Sequence, residues 1–445
     1  MKRTIKLAVV AALALGATSA FATNGSQLIG IGAKARGMGG VGIGMGHGSE
    51  SGLTNPALIT TIKGDNEISF GGTIFFADVS VKADTTMIGD PVASQQDSDA
   101  DTAVIPSVSL VSKYNDNFYW GIGMWGTGGL GVDYRDQTDS TFSMNTSLQT
   151  MQFGVPLAYT TNGFSIGITP IVQYSSIDID YKQPVAFRND AMGGMNPHYD
   201  PSRPTNPDGS IGSGTAQDLA FGFNIGAAYE VSGFTFGTVY KSKITFDTKD
   251  VMTNALNGFG VGDENPYGMG TKMETMATPE EWGAGVSYNF EGHTIGLDWK
   301  HINWEDAEGY QDFGWENQNV IAVGYEYATN KWALRCGYQY AETAVQDNTG
   351  KGLDIDKAHA ANMQGAMGYT GESSLTNTFN LLGFPGTEET HLTIGGSYAF
   401  NETISMDMAA VYGLEKEVNY TGFTGQEIKS THSEQSYSVQ LNYAF

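Results

Sequence analysis

The sequence predicts an all-β protein: a 14-stranded antiparallel transmembrane β-barrel with an N-terminal hatch in its lumen. Three observations predict it. Apolar and polar residues alternate over runs of nine or more, tight turns alternate with long loops, and a secretory leader at one end is matched by Phe445 at the other. Such runs suit the roughly 9–11 residues that a tilted strand needs to cross a bilayer. Hydrocarbon offers no partner to a backbone N–H or C=O, so a sheet placed there must close on itself. An even strand count puts both ends on the periplasmic side, where a terminal aromatic suits an outer-membrane assembly signal.

Residues 1–22 read as the leader. Lys2, Arg3 and Lys6 flank an apolar run too short to span a bilayer as a helix, and Ala20 and Ala22 hold the small-residue positions of a cleavage site. Thr23 is the expected mature N-terminus. Cleavage removes three positive charges from a chain whose formal net charge is already −25. Strong acidity argues against a nucleic-acid partner. Cys336 is the sole cysteine, which excludes an intramolecular disulfide. The 59 glycines, 22 tyrosines and 22 phenylalanines suit turns and aromatic-bearing strands.

Residues 23–64 are the expected hatch. Their "GMGGVGIGMGHG" contains Gly37, Gly39 and Gly42 at dinucleotide-fingerprint spacing, and "GTGGLG" repeats the spacing at Gly126, Gly128 and Gly131, with Gly129 between. A nucleotide site needs a strand before the glycines and a helix after them. No strand precedes Gly37, the residues beyond Val41 are too glycine-rich for a helix, and the strand before Gly126 runs into a loop. Small side chains serve close packing instead: a segment of this size, folded into the lumen, occludes it.

The barrel is expected over 65–445, with strands at 67–76, 104–114, 118–126, 147–160, 164–181, 217–230, 234–248, 280–290, 292–303, 319–327, 332–342, 391–400, 402–413 and 432–445. In the last, Tyr437, Val439, Leu441, Tyr443 and Phe445 oppose Ser436, Ser438, Gln440 and Asn442. Phe164, Ile166 and Ile168 oppose Ser165, Gly167 and Thr169, and Leu219, Phe221 and Phe223 oppose Gly222 and Asn224. Short turns at Asn117, Thr161 and Asn401 contrast with long connections such as 249–279 and 343–390. Tight periplasmic turns and long extracellular loops are the rule for such barrels. On strands 9 to 11 the alternation turns Asp298, Lys300, Glu326 and Arg335 inward, and Leu297, Trp299, Tyr325, Leu334 and Cys336 toward lipid.

The segment "GAKARGMGGVGIGMGHGSESGLTNPALI", with its Asn55-Pro56-Ala57 triplet, resembles the hatch of the FadL/TodX family of long-chain fatty-acid and hydrocarbon transporters. "TPEEWGAGVSYNF", "GLDWKHINW", "NVIAVGYEYATNKWALRCGYQY" and "HLTIGGSYAF" resemble later strands of that family in order and spacing. The resemblance implies a fourteen-stranded barrel in the outer membrane and passive uptake of hydrophobic small molecules. It also implies capture by a groove in loops 3 and 4, and lateral release beside an inward-kinked third strand. Outer-membrane lipid and lipopolysaccharide are the expected surroundings, and the protein is expected to be a monomer.

Three prolines bear on that exit: Pro106 in strand 2, Pro156 in strand 4 and Pro170 in strand 5. Proline cannot donate to a ladder, so these mark either the neighbours of a bent strand or bulges. Val251, Met252, Leu256 and Phe259 recur at helical spacing in one loop, and Met363 and Met367 enrich another. They form either an adaptable apolar capture surface or a packed loop core. Lys300 and Arg335 match basic positions of the family's blocks. They either meet a carboxylate ligand or satisfy Asp298 and Glu326 and tether the hatch. Asp97, Asp99 and Asp101 form an acidic run suited to solvent or to a divalent cation. The seven histidines show no metal spacing and no catalytic set, so no enzyme activity and no cofactor are expected. The alternatives are a general water-filled porin, against which residues 23–64 argue, and a surface receptor or adhesin using the long loops.

Overall fold

The computed structural model describes residues 24–83, 95–135, 139–182, 210–259, 261–262, 272–363 and 373–445. The leader, its cleavage site and Met367 lie outside these residues, as does the side chain of Met363. Fourteen staves close one antiparallel barrel. They are β1 Asn66–Ala83, β2 Thr102–Lys113, β3 Phe118–Asp133, β4 Asn145–Gly154 resuming at Leu157–Thr161, β5 Phe164–Lys182, β6 Ser210–Val231 and β7 Phe234–Lys241. The rest are β8 Glu281–Phe290, β9 His293–Ile302, β10 Gln318–Ala328, β11 Trp332–Ala341, β12 Thr390–Ala399, β13 Ile404–Thr421 and β14 Glu427–Ala444. Each pairs with its chain neighbour, and β14 returns to β1 in register from Glu67↔Ala444 to Ala83↔Ile428. The first and last staves therefore close the ring.

Three periplasmic turns show why the chain reverses where it does. Asn162-Gly163, Ser232-Gly233 and Glu291-Gly292 all have positive φ at both residues, the geometry that matches the right-handed twist of flanking strands. The outward row is apolar, with Phe221 78% exposed, Leu334 60% and Leu441 47%. The inward row carries Ser69, Gln173, Asn224, Asp298, Gln339 and Asp407, all buried.

Several strands exceed their expected lengths at the extracellular end, whereas β7 stops at Lys241, short of the expected 248. β1 reaches Ala83, β6 begins at Ser210, and the β13–β14 hairpin stays paired out to Thr421↔Glu427. Above the bilayer the ladder still satisfies the backbone, but lipid no longer selects apolar outward residues. Asp78 and Lys82 accordingly face out, and the alternation fades. "GTGGLG" lies within β3 rather than in a loop: β3 continues to Asp133, paired with β4 through a bulge at Gly126/Gly128. Pro156 divides β4, its carbonyl accepting from Gly121 N–H at 2.8 Å. The Val155 N–H turns instead to the Pro170 carbonyl of β5, at 3.2 Å.

The chain from Asn24 to Ile62 lies inside the barrel, in α1 Gly32–Gly37, α2 Ser51–Thr54 and 3-10 segments at Gly48–Glu50 and Pro56–Thr61. The mouth is roofed by α3 Val251–Gly258, α4 Asp354–Met363 and α5 Leu375–Gly383. Phe142, Phe259, Phe379 and Phe423 meet edge to face there, at 5.1–5.9 Å between ring centres.

Candidate functional site

The hatch is held by charge and by contact. Asp298 of β9 accepts N–H bonds from Gly42 and Ile43 at 2.7 Å each and from Gly44 at 3.2 Å. Glu50 of the hatch accepts from Ser107 at 2.7 Å and Ser109 at 2.9 Å on β2. Where the peptide touches the wall, both sides are glycine: a Cβ on Gly44 would overlap the backbone of Gly285. The Asn55-Pro56-Ala57 triplet is a helix cap. Asn55 Oδ1 accepts from Ala57 N–H at 3.1 Å, Pro56 takes the first helical position, and Asn55 Nδ2 donates to Ile43 O at 2.8 Å.

The wall is interrupted between β2 and β3. Their ladder ends at Ser107↔Trp125. Among the described residues, backbone hydrogen bonding to β3 from this side resumes where Asp99 N–H donates to Asp133 O at 2.9 Å. Between these points β1 still holds β2 up to Thr102, and β4 still holds β3. Only the β2 side of β3 opens. The edge that β3 exposes is taken by the start of the hatch. Gln27 bridges Gly128, Leu28 N–H donates to Thr127 O at 3.3 Å, and Gly129 N–H donates to Ser26 O at 3.0 Å. A Cβ on Gly128 would overlap the Ser26 carbonyl, which is why glycine stands there. A cavity of about 430 Å³ fills the gap, lined by Pro106, Gly126 and Leu28 with Met151, Phe153 and the lipid-facing Leu219. Of the three prolines, Pro106 alone borders it.

A second cavity, about 80 Å³, continues from Leu28 and Thr127 into the lumen, toward Lys241, Glu281 and Lys300. Lys241 and Glu281 are register partners, paired at 2.9 Å. Lys300 is buried with no carboxylate in ion-pair range among the described residues. Arg335 differs: it is committed to Glu326 at 2.6 Å and Ser397 at 2.7 Å, with Asp407 at 3.8 Å. The two basic residues thus differ in their partners. Above, Trp304, Tyr310 and Trp315 form a triad with ring centres 4.6–5.0 Å apart. Tyr310 donates to Ser26 Oγ at 2.8 Å, and a Cβ on Gly25 would lie 2.7 Å from Trp304.

Val251, Met252 and Leu256 are buried in the roof, and Phe259 stacks on Tyr181 at 5.0 Å. Ser26, Gln27 and Leu28 escaped the sequence reading, since five residues from Asn24 show neither alternation nor a turn signal. Lys241 and Glu281 also escaped it, though pairing their inward rows across β7 and β8 would have found them.

The model of a family described as outer membrane protein transport protein (OMPP1/FadL/TodX) matches residues 8–353. The chain is 25% identical over 428 residues to the long-chain fatty acid transport protein of Escherichia coli O6:H1, covering 88% of this chain and 87% of that one. It is 22% identical over 446 residues to outer membrane protein P1 of Haemophilus influenzae, covering 88% of each. A FadL homologue from Pseudomonas aeruginosa superposes with a TM-score of 0.65 at 16% identity, over 95% of this chain and 100% of that one. The toluene transporter TodX of P. putida gives 0.62 at 18%, over 94% and 99%. At such identities the two structures establish a shared fold.

Proposed function

The chain belongs to the OMPP1/FadL/TodX family of outer membrane transport proteins, and from that premise we propose that it carries hydrophobic compounds inward and releases them sideways between β2 and β3. The observation that carries this reading is the interrupted ladder, stoppered from inside by Ser26–Leu28. A ligand following the lumen cavity meets Leu28, which with Thr127 and Thr150 lines both the lumen cavity and the wall cavity. Displacing that short strand from Thr127–Gly129 opens a path to lipid without exposing the bilayer core to a water-filled bore. Each CH₂ that leaves water contributes about 0.8 kcal/mol, so partition alone supplies the driving force.

The relatives' names divide between fatty acid and toluene. Lys300, buried without an ion-pair partner beside Lys241, supports a ligand with an anionic head and an apolar tail. Arg335 is the weaker candidate, being committed within the wall. The roof residues Val251, Met252, Leu256 and Phe259 support a role as a hinged cover over the path, since their apolar faces are already satisfied by each other.

A disulfide joining Ile105→Cys to Gly126→Cys in a Cys336→Ser background tests release. A Cβ on Gly126 would stand 3.7 Å from Ile105 Cα, within reach of a disulfide. Oxidised protein is expected to lose uptake and reduced protein to regain it; full uptake through the crosslinked wall would refute the exit.

A further inference from the structure

Arg36 of α1 reaches the wall at β14, in a place where ionisable groups are crowded and under-bonded. It is 1% exposed, and only its Nη2 has a partner, Ser436 Oγ at 2.5 Å. Around it stand His432 and Glu434 of β14, His391 of β12 and Glu388 just before β12, all buried. His391 Nε2 lies 2.8 Å from Glu434 Oε1, and His432 Nδ1 lies 3.0 Å from Pro385 O and 3.9 Å from Glu388 Oε1. Eighteen buried side-chain polar atoms among the described residues lack a hydrogen-bond partner, and half of them are here. They are Nε and Nη1 of Arg36, both oxygens of Glu388, Oε2 of Glu434, the free ring nitrogen of each histidine, and the hydroxyls of Thr387 and Ser430.

We propose that this nest is a proton-sensing latch: it holds the hatch against the wall while it is electrically neutral, and frees α1 when it gains or loses a proton. The inference goes beyond transport, because it does not depend on what is carried.

The charge count follows from the geometry. Glu434 faces Arg36 and shares a 2.8 Å hydrogen bond with His391, and the latch takes it as the carboxylate that balances the guanidinium. His432 spends its Nδ1–H on a carbonyl, and neither histidine has a protein acceptor for a second proton. A second proton on either ring would therefore be an uncompensated buried cation near Arg36. Glu388 has no donor among the described residues, and burial beside Glu434 pushes its carboxyl up to about 10, so it enters as the neutral acid. The other charged groups facing the nest leave this balance intact. From β9, Lys300 adds positive charge toward His391. From the Glu388 side and β13 come Glu389, Glu415 and Lys416, of which Glu389 and Lys416 pair at 2.8 Å and Glu415 is exposed.

When the hatch lifts, all four groups meet water and regain ordinary values of about 6.5 for histidine and 4.3 for glutamate. Between about pH 4.5 and 6.5, opening takes up two protons on the histidines and releases one from Glu388, so acid favours opening by up to about tenfold per pH unit. Above about 6.5 only the release remains, and alkali favours opening by a similar factor. The latch is therefore tightest near pH 6.5.

Hydrogen–deuterium exchange of the full barrel in detergent, from pH 5 to 9 and corrected for intrinsic rates, reads this directly. Protection of residues 32–40 is expected to peak near pH 6.5 and to fall on both sides, while β8–β10 stay flat. His391→Gln with His432→Gln should remove the acid limb alone, and Glu388→Gln the alkaline limb alone. If the double variant does not assemble, each single histidine variant should flatten the acid limb. A pH-independent hatch in the wild type, or limbs that persist in these variants, would overturn the latch.

Discussion

Asp298 shows how much of the hatch rests on single side chains. Its carboxylate accepts from Gly42, Ile43 and Gly44, and bonds to a charged acceptor contribute about 1.5–3 kcal/mol each. Asp298→Ala orphans three buried donors at once. Exchange of residues 41–45 is expected to rise about 100-fold, allowing for non-additivity, while the barrel's melting temperature holds; unchanged exchange would show that the tether is idle. Gly44→Val acts through shape, because its side chain has no space against Gly285. Planar-bilayer recordings are expected to show ion conductance that the wild type lacks. Lys300 and Arg335 separate at this scale as well. Lys300→Met is expected to weaken uptake of a fatty acid several-fold and leave toluene uptake unchanged, whereas loss of both would return Lys300 to a structural role.

At the scale of elements, β3 is the irregular stave. It keeps β4, leaves β2 above Trp125, and offers the vacated edge to Ser26–Leu28. An unpaired edge in a membrane wall is costly, so the hatch completes the sheet as well as blocking the lumen. Gly128→Val is expected to expel that segment, since a side chain there collides with Ser26 O. Its uptake rate should exceed the wild type several-fold, opposite in direction to the Ile105–Gly126 crosslink. Equal rates in the two would mean that the segment does not gate the path.

For the whole molecule, the barrel is turned inside out relative to a soluble protein. Leu297 and Leu334 face lipid while Asp298 and Arg335 are buried. Leu297→Arg is expected to destabilise folding into vesicles by about 2–4 kcal/mol, measured by denaturant titration; a negligible cost would place that face out of the bilayer. Buried polar side chains find partners on the hatch, as Asp298 does on Gly42, or on neighbouring staves, as Arg335 does on Glu326.

Alternation is a local property, and local properties were readable. The fourteen staves, the lipid face of Phe221 and Leu441, the inward Asp298 and Lys300, and the hatch's demand for glycine all follow from residues two apart or from composition. What the sequence by itself could not decide are partnerships between distant residues. Gly42 meets Asp298 across 256 positions, Arg36 meets Ser436 across 400, and Leu28 meets a strand edge that exists only because β2 departs from it. The packing of the roof residues against one another was out of reach for the same reason, since helical spacing in α3 shows an apolar face but not the phenylalanines that cover it. Strand periodicity is set by backbone geometry at each residue, whereas closure, latch and window depend on which segments the folded ring brings together.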